Sequence, residues 1–288
     1  MKTNGLDTFA AEELFDQDGG IFMGARRDPS GCQVGVFGVP YDGTTSFRPG
    51  TRFGPAAIRE VSPGLETYCP QLDRDLDTLD YADLGTLNIA FGAPEPVVEA
   101  VKRATSEILA LGLKPLMLGG EHSISSGAVA AVAKDHPDLV LVQLDAHAAL
   151  RQSWLGASHS HACAMRRCLD VLPSGDLLQI AIRSGTAEEF SELHRSGRLI
   201  PLHQMSQKLS DLRGRPIYLT VDLDWFDPAV MPGTGTPEPG GFTWADFAVL
   251  INELQHHHLV GADVVELAPQ LDPSGISSVL AAKVTRSL

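Results

Sequence analysis

Short, near-continuous apolar runs alternate along this chain with longer stretches in which apolar positions recur at helical spacing. The first kind, rich in Val, Leu and Ile, predicts strands at residues 33–39, 116–118, 139–144, 177–182, 217–222 and 261–266. The second predicts helices at 55–61, 94–111, 123–136, 161–171, 187–196, 244–256 and 275–284. Pro94 suits a first helical turn, and Thr243 is a cap. Strands that are apolar on both faces and separated by helices form a parallel sheet covered on both sides. The expected fold class is therefore α/β, a three-layer αβα sandwich with a mostly parallel central sheet. No internal repeat, low-complexity tract or linker interrupts the pattern, so residues 31–288 read as one domain. Residues 1–30, acidic and weakly periodic, read as an N-terminal arm that packs late or serves contacts between subunits.

In parallel sheets, sites form beyond the carboxyl ends of the strands. Here those ends carry the chemically loaded residues. Residues 116–118 run into Gly119-Gly120-Glu121-His122-Ser123, and 139–144 into Asp145-Ala146-His147. The strand at 217–222 ends in Asp222-Leu223-Asp224, and the last one in Glu266. Asp145 and His147, like Asp222 and Asp224, are spaced so that on an extended strand end both side chains face one way. Each pair can clamp a cation, with His122 adding an imidazole. Mixed carboxylate and imidazole donors suit Mn²⁺, Zn²⁺, Fe²⁺ or Ni²⁺, and oxygen-rich sets lean towards Mn²⁺. Singly, an Asp after a strand is an ordinary cap and a lone His an ordinary core residue. Gathered at successive strand ends, they outweigh that bland reading. Asp227 precedes Pro228 and reads as a cap of the following turn.

Composition narrows the classes. No apolar run of about 18 residues occurs, so no membrane span is expected. The opening Met1-Lys2-Thr3-Asn4-Gly5 lacks the layout of a signal peptide. Cys32, Cys69, Cys163 and Cys168 form no CxxC pair and read as reduced thiols of a cytoplasmic protein. A net charge of −14 disfavours nucleic acid and suits metal cations and a cationic substrate.

Gly119-Gly120-Glu121-His122-Ser123, Asp145-Ala146-His147 and Asp222-Leu223-Asp224-Trp225-Phe226-Asp227-Pro228, in this order, resemble the three signatures of the arginase–agmatinase (ureohydrolase) family. Asp42-Gly43-Thr44-Thr45-Ser46-Phe47-Arg48-Pro49-Gly50, the loop Pro232 to Gly241 and Val265-Glu266-Leu267-Ala268-Pro269 match as well. The resemblance spans roughly residues 30 to 287. It implies an arginase-like fold and two Mn²⁺ ions. The implied reaction is hydrolysis of a guanidino compound by a metal-bridging hydroxide, foremost agmatine to putrescine and urea. It also implies a homo-oligomer, trimer or hexamer, acting on a small cationic substrate. One ion would be held by His122, Asp145 and Asp222, the other by His147, Asp145, Asp222 and Asp224. His161 matches the family's proton-shuttle histidine, Glu266 the carboxylate that holds the guanidinium, and Thr236 the threonine that steadies that carboxylate.

The chain departs from the pattern at one position. Where the family has Asp-Ala-His-x-Asp, this sequence reads Asp145-Ala146-His147-Ala148-Ala149, and Ala149 offers no lone pair. The ion on the His122 side is therefore expected to bind more weakly and activity to be impaired, with His159 nearby read as a surface residue. Other guanidino amines or acids remain open as substrates, as does a silent subunit. Deacetylation is disfavoured by Glu266.

Overall fold

The protein is described by a computed structural model covering residues 14–288. Among these residues, nine strands form one sheet in the order β1-β5-β2-β6-β11-β10-β7-β8-β9. They are β1 (Phe15–Asp16), β2 (Val34–Val39), β5 (Tyr81–Leu87), β6 (Lys114–Gly119), β7 (Val140–Leu144), β8 (Leu177–Ile180), β9 (Leu199–Ile200), β10 (Pro216–Asp222) and β11 (His258–Val265). All neighbours run parallel except β1, which pairs antiparallel with β5. A small hairpin, β3 (Tyr68–Cys69) with β4 (Arg74–Asp75), stands apart.

Alternation along each strand feeds two cores, which is why the runs look apolar throughout. Ile217, Leu219 and Val221 of β10 join Leu116, Leu118, Val142 and Leu144 in one core. That core is closed by Ile58 of helix Gly54–Val61, Phe247 and Leu250 of Trp244–Leu254, and Ala281 of Ile276–Arg286. Tyr218, Met117 and Leu141 enter the other, with Val101 of helix Pro94–Ala110, Val129 of Ser125–Asp135 and Met165 of Ala164–Val171. The expected three-layer αβα arrangement is what forms, and each buried Leu or Phe in it contributes roughly 1.5–3 kcal/mol.

Helix starts follow the sequence chemistry. Thr186 and Glu189 close a capping box on helix Ala187–Ser196, and Thr243 and Asp246 do the same on Trp244–Leu254. The helix expected at 161–171 begins as a 3₁₀ turn, His161–Cys163, before continuing as Ala164–Val171. Strand β5 escaped the pattern because Asp83 and Gly85 break its apolar run. Of the N-terminal arm, residues 1–13 lie outside the described residues. Beyond them, Phe15 sits on the sheet edge against Phe37, and Phe22 is buried in a core. No helix among the described residues is long and apolar enough to cross a membrane.

Candidate metal centre and substrate pocket

Strands β6, β11, β10 and β7 are neighbours, so their carboxyl ends bring His122, Glu266, Asp222 and Asp145 to one rim. The chain leaves β6 through Gly120, whose position admits no side chain because a Cβ would overlap the backbone of Tyr41. Gly120 N donates to Val39 O (2.9 Å) and Glu121 N to Tyr41 O (2.7 Å), which locks the loop after β2 onto this rim. The Asp145/His147 and Asp222/Asp224 pairs are not the extended strand ends expected from spacing. Asp145 Oδ1 accepts the His147 amide at 2.5 Å, and Asp222 Oδ1 accepts the Asp224 amide at 3.0 Å. Each is a turn in which an Asp side chain captures the amide two residues on. The result is still a pair on one side. Trp225, fully buried and stacked on Phe242 at 4.5 Å, donates from Nε1 to Ile180 O and anchors the Asp224 turn.

Two clusters result, sharing Asp145: His122, Asp145 and Asp222, and Asp145, His147 and Asp224. His122 Nδ1 lies 3.0 Å from Asp145 Oδ2 and 3.1 Å from Asp222 Oδ2. His147 Nδ1 lies 2.9 Å from Asp224 Oδ2 and 3.5 Å from Asp145 Oδ1. Donors about 2.1 Å from one ion and at right angles stand about 3 Å apart, so these separations suit a shared cation. All five residues named as ligands from sequence are thus brought together.

The electrostatics point the same way. Burial and the charges of Asp224 and Asp145 push Asp222 well above the usual carboxylate range. Burial and Asp145 raise Asp224 as well. Burial alone would strip the proton from His122, but Asp145 and Asp222 outweigh it and hold its pKa well above the ordinary value. His147, opposed by burial in the same way, is pushed up to about 12 by Asp224 and Asp145. Among the described residues, no Lys or Arg forms an ion pair with Asp145, Asp222 or Asp224. Three buried carboxylates whose only cationic partners are two imidazoles form a donor set that a divalent cation satisfies, so the residues present fit the metal that the sequence implies.

The clusters floor a cavity of about 220 Å³ whose walls include Ser46, Ala149, Arg151, Trp154, His161, Glu189, Thr236 and Glu266. Glu266 is buried, in a left-handed backbone conformation (φ 69°), with Oε1 accepting the His122 amide at 2.8 Å. Burial and then Glu121 push its pKa up to about 8. Burial lowers the pKa of His161, which meets Ser46 Oγ at Nε2 (3.1 Å). Thr236 departs from its expected role: its hydroxyl donates to Asp224 Oδ2 at 3.2 Å, so the carboxylate that it steadies is Asp224 rather than Glu266. The turn at 223–225 carries Asp224 towards the loop that bears Thr236.

Ala149 is buried against the cavity, also left-handed (φ 50°), a conformation that Asp and Asn tolerate better than Ala. His159 lies away from the cavity, 3.4 Å from Glu95. Asp227 accepts the amides of Ala229, Gly240 and Gly241, the capping role expected of it.

Several supporting residues escaped the sequence reading. Gln143 Nε2 donates to Asp145 Oδ2 at 2.6 Å. Thr220 Oγ1 lies 2.9 Å from His122 Nε2 and donates to the buried Asp263, so the far side of that imidazole is fixed as well. Arg183 donates to the carbonyls of Asp224, Trp225 and Glu238, tying two loops of the rim together. Polar residues at buried positions of otherwise apolar strands, as at Gln143, Thr220 and Asp263, were the signal available.

The arginase-family model matches residues 32–288. The chain is 39% identical to an agmatinase of Bacillus anthracis over 282 residues, covering 95% of this chain and 97% of that one. It is 36% identical to the mitochondrial guanidino acid hydrolase of Homo sapiens, over 90% of this chain and 78% of that protein. A crystal structure of a putative agmatinase from Clostridium difficile superposes with a TM-score of 0.86 at 38% identity, covering 89% of this chain and 95% of that one.

Proposed function

The chain belongs to the arginase family, and on that premise we propose that it hydrolyses agmatine to putrescine and urea with Mn²⁺ as its metal. The observation that carries this reading is the pair of His and Asp clusters sharing Asp145 at the floor of a cavity that also holds Glu266 and His161. His122, Asp145 and Asp222 would hold one ion, and His147, Asp145, Asp222 and Asp224 the other. Such ions, when bound, acidify water so that a nucleophile is available near neutral pH.

The chain's own residues supply the rest. Glu266 keeps acceptor capacity beyond the His122 amide and binds the guanidinium by charge-assisted hydrogen bonds. That cation in turn favours the ionised form of a carboxylate that burial otherwise disfavours. His161, neutral at rest because burial lowers its pKa, takes up the proton that the attacking water gives up and passes it to the leaving amine. Ala149 leaves the His122 side one protein ligand short, and this supports a weaker ion there and a slower enzyme. The family resemblance supports a cytoplasmic homo-oligomer, trimer or hexamer, and the acidic chain supports a cationic substrate.

One observation favours a second reading, a guanidino acid as substrate. Arg151, in the cavity wall with its guanidinium 3.9 Å over Trp154, is a cation within reach of a carboxylate tail. Glu189 in the same wall accepts the amides of Leu150 and Thr186, and its Oε2 also lies 3.8 Å from Arg151 Nε, so a carboxylate tail would share that cation with it. The test is urea release with added Mn²⁺ from agmatine and from 4-guanidinobutyrate, by this chain and by Ala149→Asp. Agmatine turnover that rises in Ala149→Asp supports the proposal. Turnover confined to the acid installs the second reading, and urea from neither substrate by either protein overturns both.

A further inference from the structure

The loop after β2 contributes a group that the reaction scheme leaves unused. Thr44 stands between Glu121 and His161. Its hydroxyl donates to Glu121 Oε1 in a short contact, and its amide donates to Glu121 Oε2 at 2.6 Å. Ser123 Oγ adds a third donor to Oε1 at 2.5 Å. Glu121 is fully buried, and with donors on both oxygens it acts only as an acceptor. The single proton of the Thr44 hydroxyl is therefore committed to Glu121, and its lone pairs are left facing His161. One of them accepts the His161 amide at 3.0 Å. The other faces Nδ1 of the ring at 3.4 Å, while Nε2 faces Ser46 at 3.1 Å.

A lone pair of Oγ1 opposite Nδ1 is favourable only when Nδ1 carries the proton, since the other tautomer sets two lone pairs against each other. We propose that Glu121 and Thr44 are positioning residues that hold neutral His161 as its Nδ1–H tautomer, so that Nε2 is the nitrogen that takes up and delivers the proton. Ser46, on the cavity wall, is then the hydroxyl through which Nε2 meets the pocket. Hydrogen bonding at one ring nitrogen sets the protonation of the other, and here a carboxylate reaches the ring through a threonine. Both segments are pinned independently: the Glu121 amide is bound by Tyr41 O, and the Cys163 amide by Ser160 O. The inference rests on the shuttle role of His161 given above, and it is tested in two ways that separate the two.

The first readout needs no turnover. In the full-length chain labelled with [¹⁵N]histidine, the ring signals of His161 are assigned by their loss in His161→Gln. The Nδ1–H pattern is expected in the unaltered chain and in Thr44→Ser, and a mixed or Nε2–H pattern in Thr44→Val. An Nε2–H ring in the unaltered chain, or no change in Thr44→Val, overturns the inference whether or not the chain makes urea.

The second readout is a double-mutant cycle on the substrate that the chain turns over. Thr44→Val should lower kcat on the order of 10²-fold, the low end of what a positioned acid–base group contributes, with KM little changed. Thr44→Ser should restore most of it, and Thr44→Val should cost nothing further in a His161→Gln background. Equal losses in both backgrounds would mean that Thr44 serves the fold alone and would overturn the positioning role. If the unaltered chain releases no urea from any guanidino compound, the hydrolase reading fails and the labelled ring alone decides this one.

Discussion

Two sets of buried aspartates in this molecule solve the same electrostatic problem in different ways. Asp83, in the middle of β5, meets Arg59 through a forked pair, Nε to Oδ2 at 2.7 Å and Nη2 to Oδ1 at 2.8 Å. Its oxygens also accept the amides of Phe22 and Gly85, while the guanidinium reaches Gly85 O and Thr86 Oγ1. Asp145, Asp222 and Asp224 are as deeply buried but have two imidazoles and no guanidinium or ammonium paired with them. At most two imidazolium charges face these three carboxylates, so at least one is left without a countercharge, which costs several kcal/mol after relaxation. The first set carries its cation in the chain. The second is built to receive one from solution. Burial alone therefore does not mark a site; burial with too few internal countercharges does.

The largest expected effect falls on the second set. Asp145→Asn removes the ligand that both clusters share and should lower urea release by about a thousandfold or more, a loss of roughly 4 kcal/mol in transition-state stabilisation. Its metal-free form should also melt lower than the unaltered chain, because His122 and His147 lose the carboxylate that both face. An unchanged metal-free midpoint would mean that Asp145 does not balance the two imidazoles, and the comparison would break.

Arg59→Met should behave in the opposite way. Leaving buried Asp83 with only the more distant Arg27, 3.9 Å away, should cost roughly 3 kcal/mol of unfolding free energy, read from denaturant melts with and without metal. Adding Asp83→Leu in the same chain should recover most of that loss. Chelation should move only the other set. Metal at about a hundred times its dissociation constant adds about 2.7 kcal/mol of stability, so removing it should lower the thermal midpoint of the unaltered chain by several degrees and leave Asp145→Asn unmoved.

The smallest effect is in pH. Asp222 and Glu266 have raised folded-state pKa values, Glu266 about 8, and that of His147 is about 12. For each, the folded value lies above the unfolded one. Their contribution to stability is therefore complete below the unfolded pKa and is lost as pH rises through the folded one. Glu266 alone should cost the metal-free chain roughly 2 kcal/mol between about pH 6.5 and 8.5, and saturating divalent cation should flatten that slope. A metal-free stability that rises over this window would contradict the shifts.

The same contrast explains what could be read in the sequence. The metal rim was legible because its residues follow apolar strands in ordered segments, from Gly119-Gly120-Glu121-His122 to Asp222-Leu223-Asp224. Strand β5 was not, because Asp83 looks like a polar interruption until Arg59, 24 residues earlier, is seen to neutralise it. The role of Thr236 was drawn to the wrong carboxylate because the turn that carries Asp224 cannot be placed from spacing. Thr44 and Arg183 act through partners far away in sequence or through backbone carbonyls, neither of which leaves a pattern along the chain, whereas Gln143 shows only as a polar residue inside an apolar strand.

The most direct measurement is equilibrium binding of Mn²⁺ to the metal-free chain, with the ion counted after dialysis against a series of free concentrations, beside Asp145→Asn. The account predicts a tightly held ion in the unaltered chain, a second that binds more weakly on the Ala149 side, and the loss of both in Asp145→Asn. No bound ion, or the same binding by both proteins, would contradict it, because the buried aspartates would then have no cation to balance them.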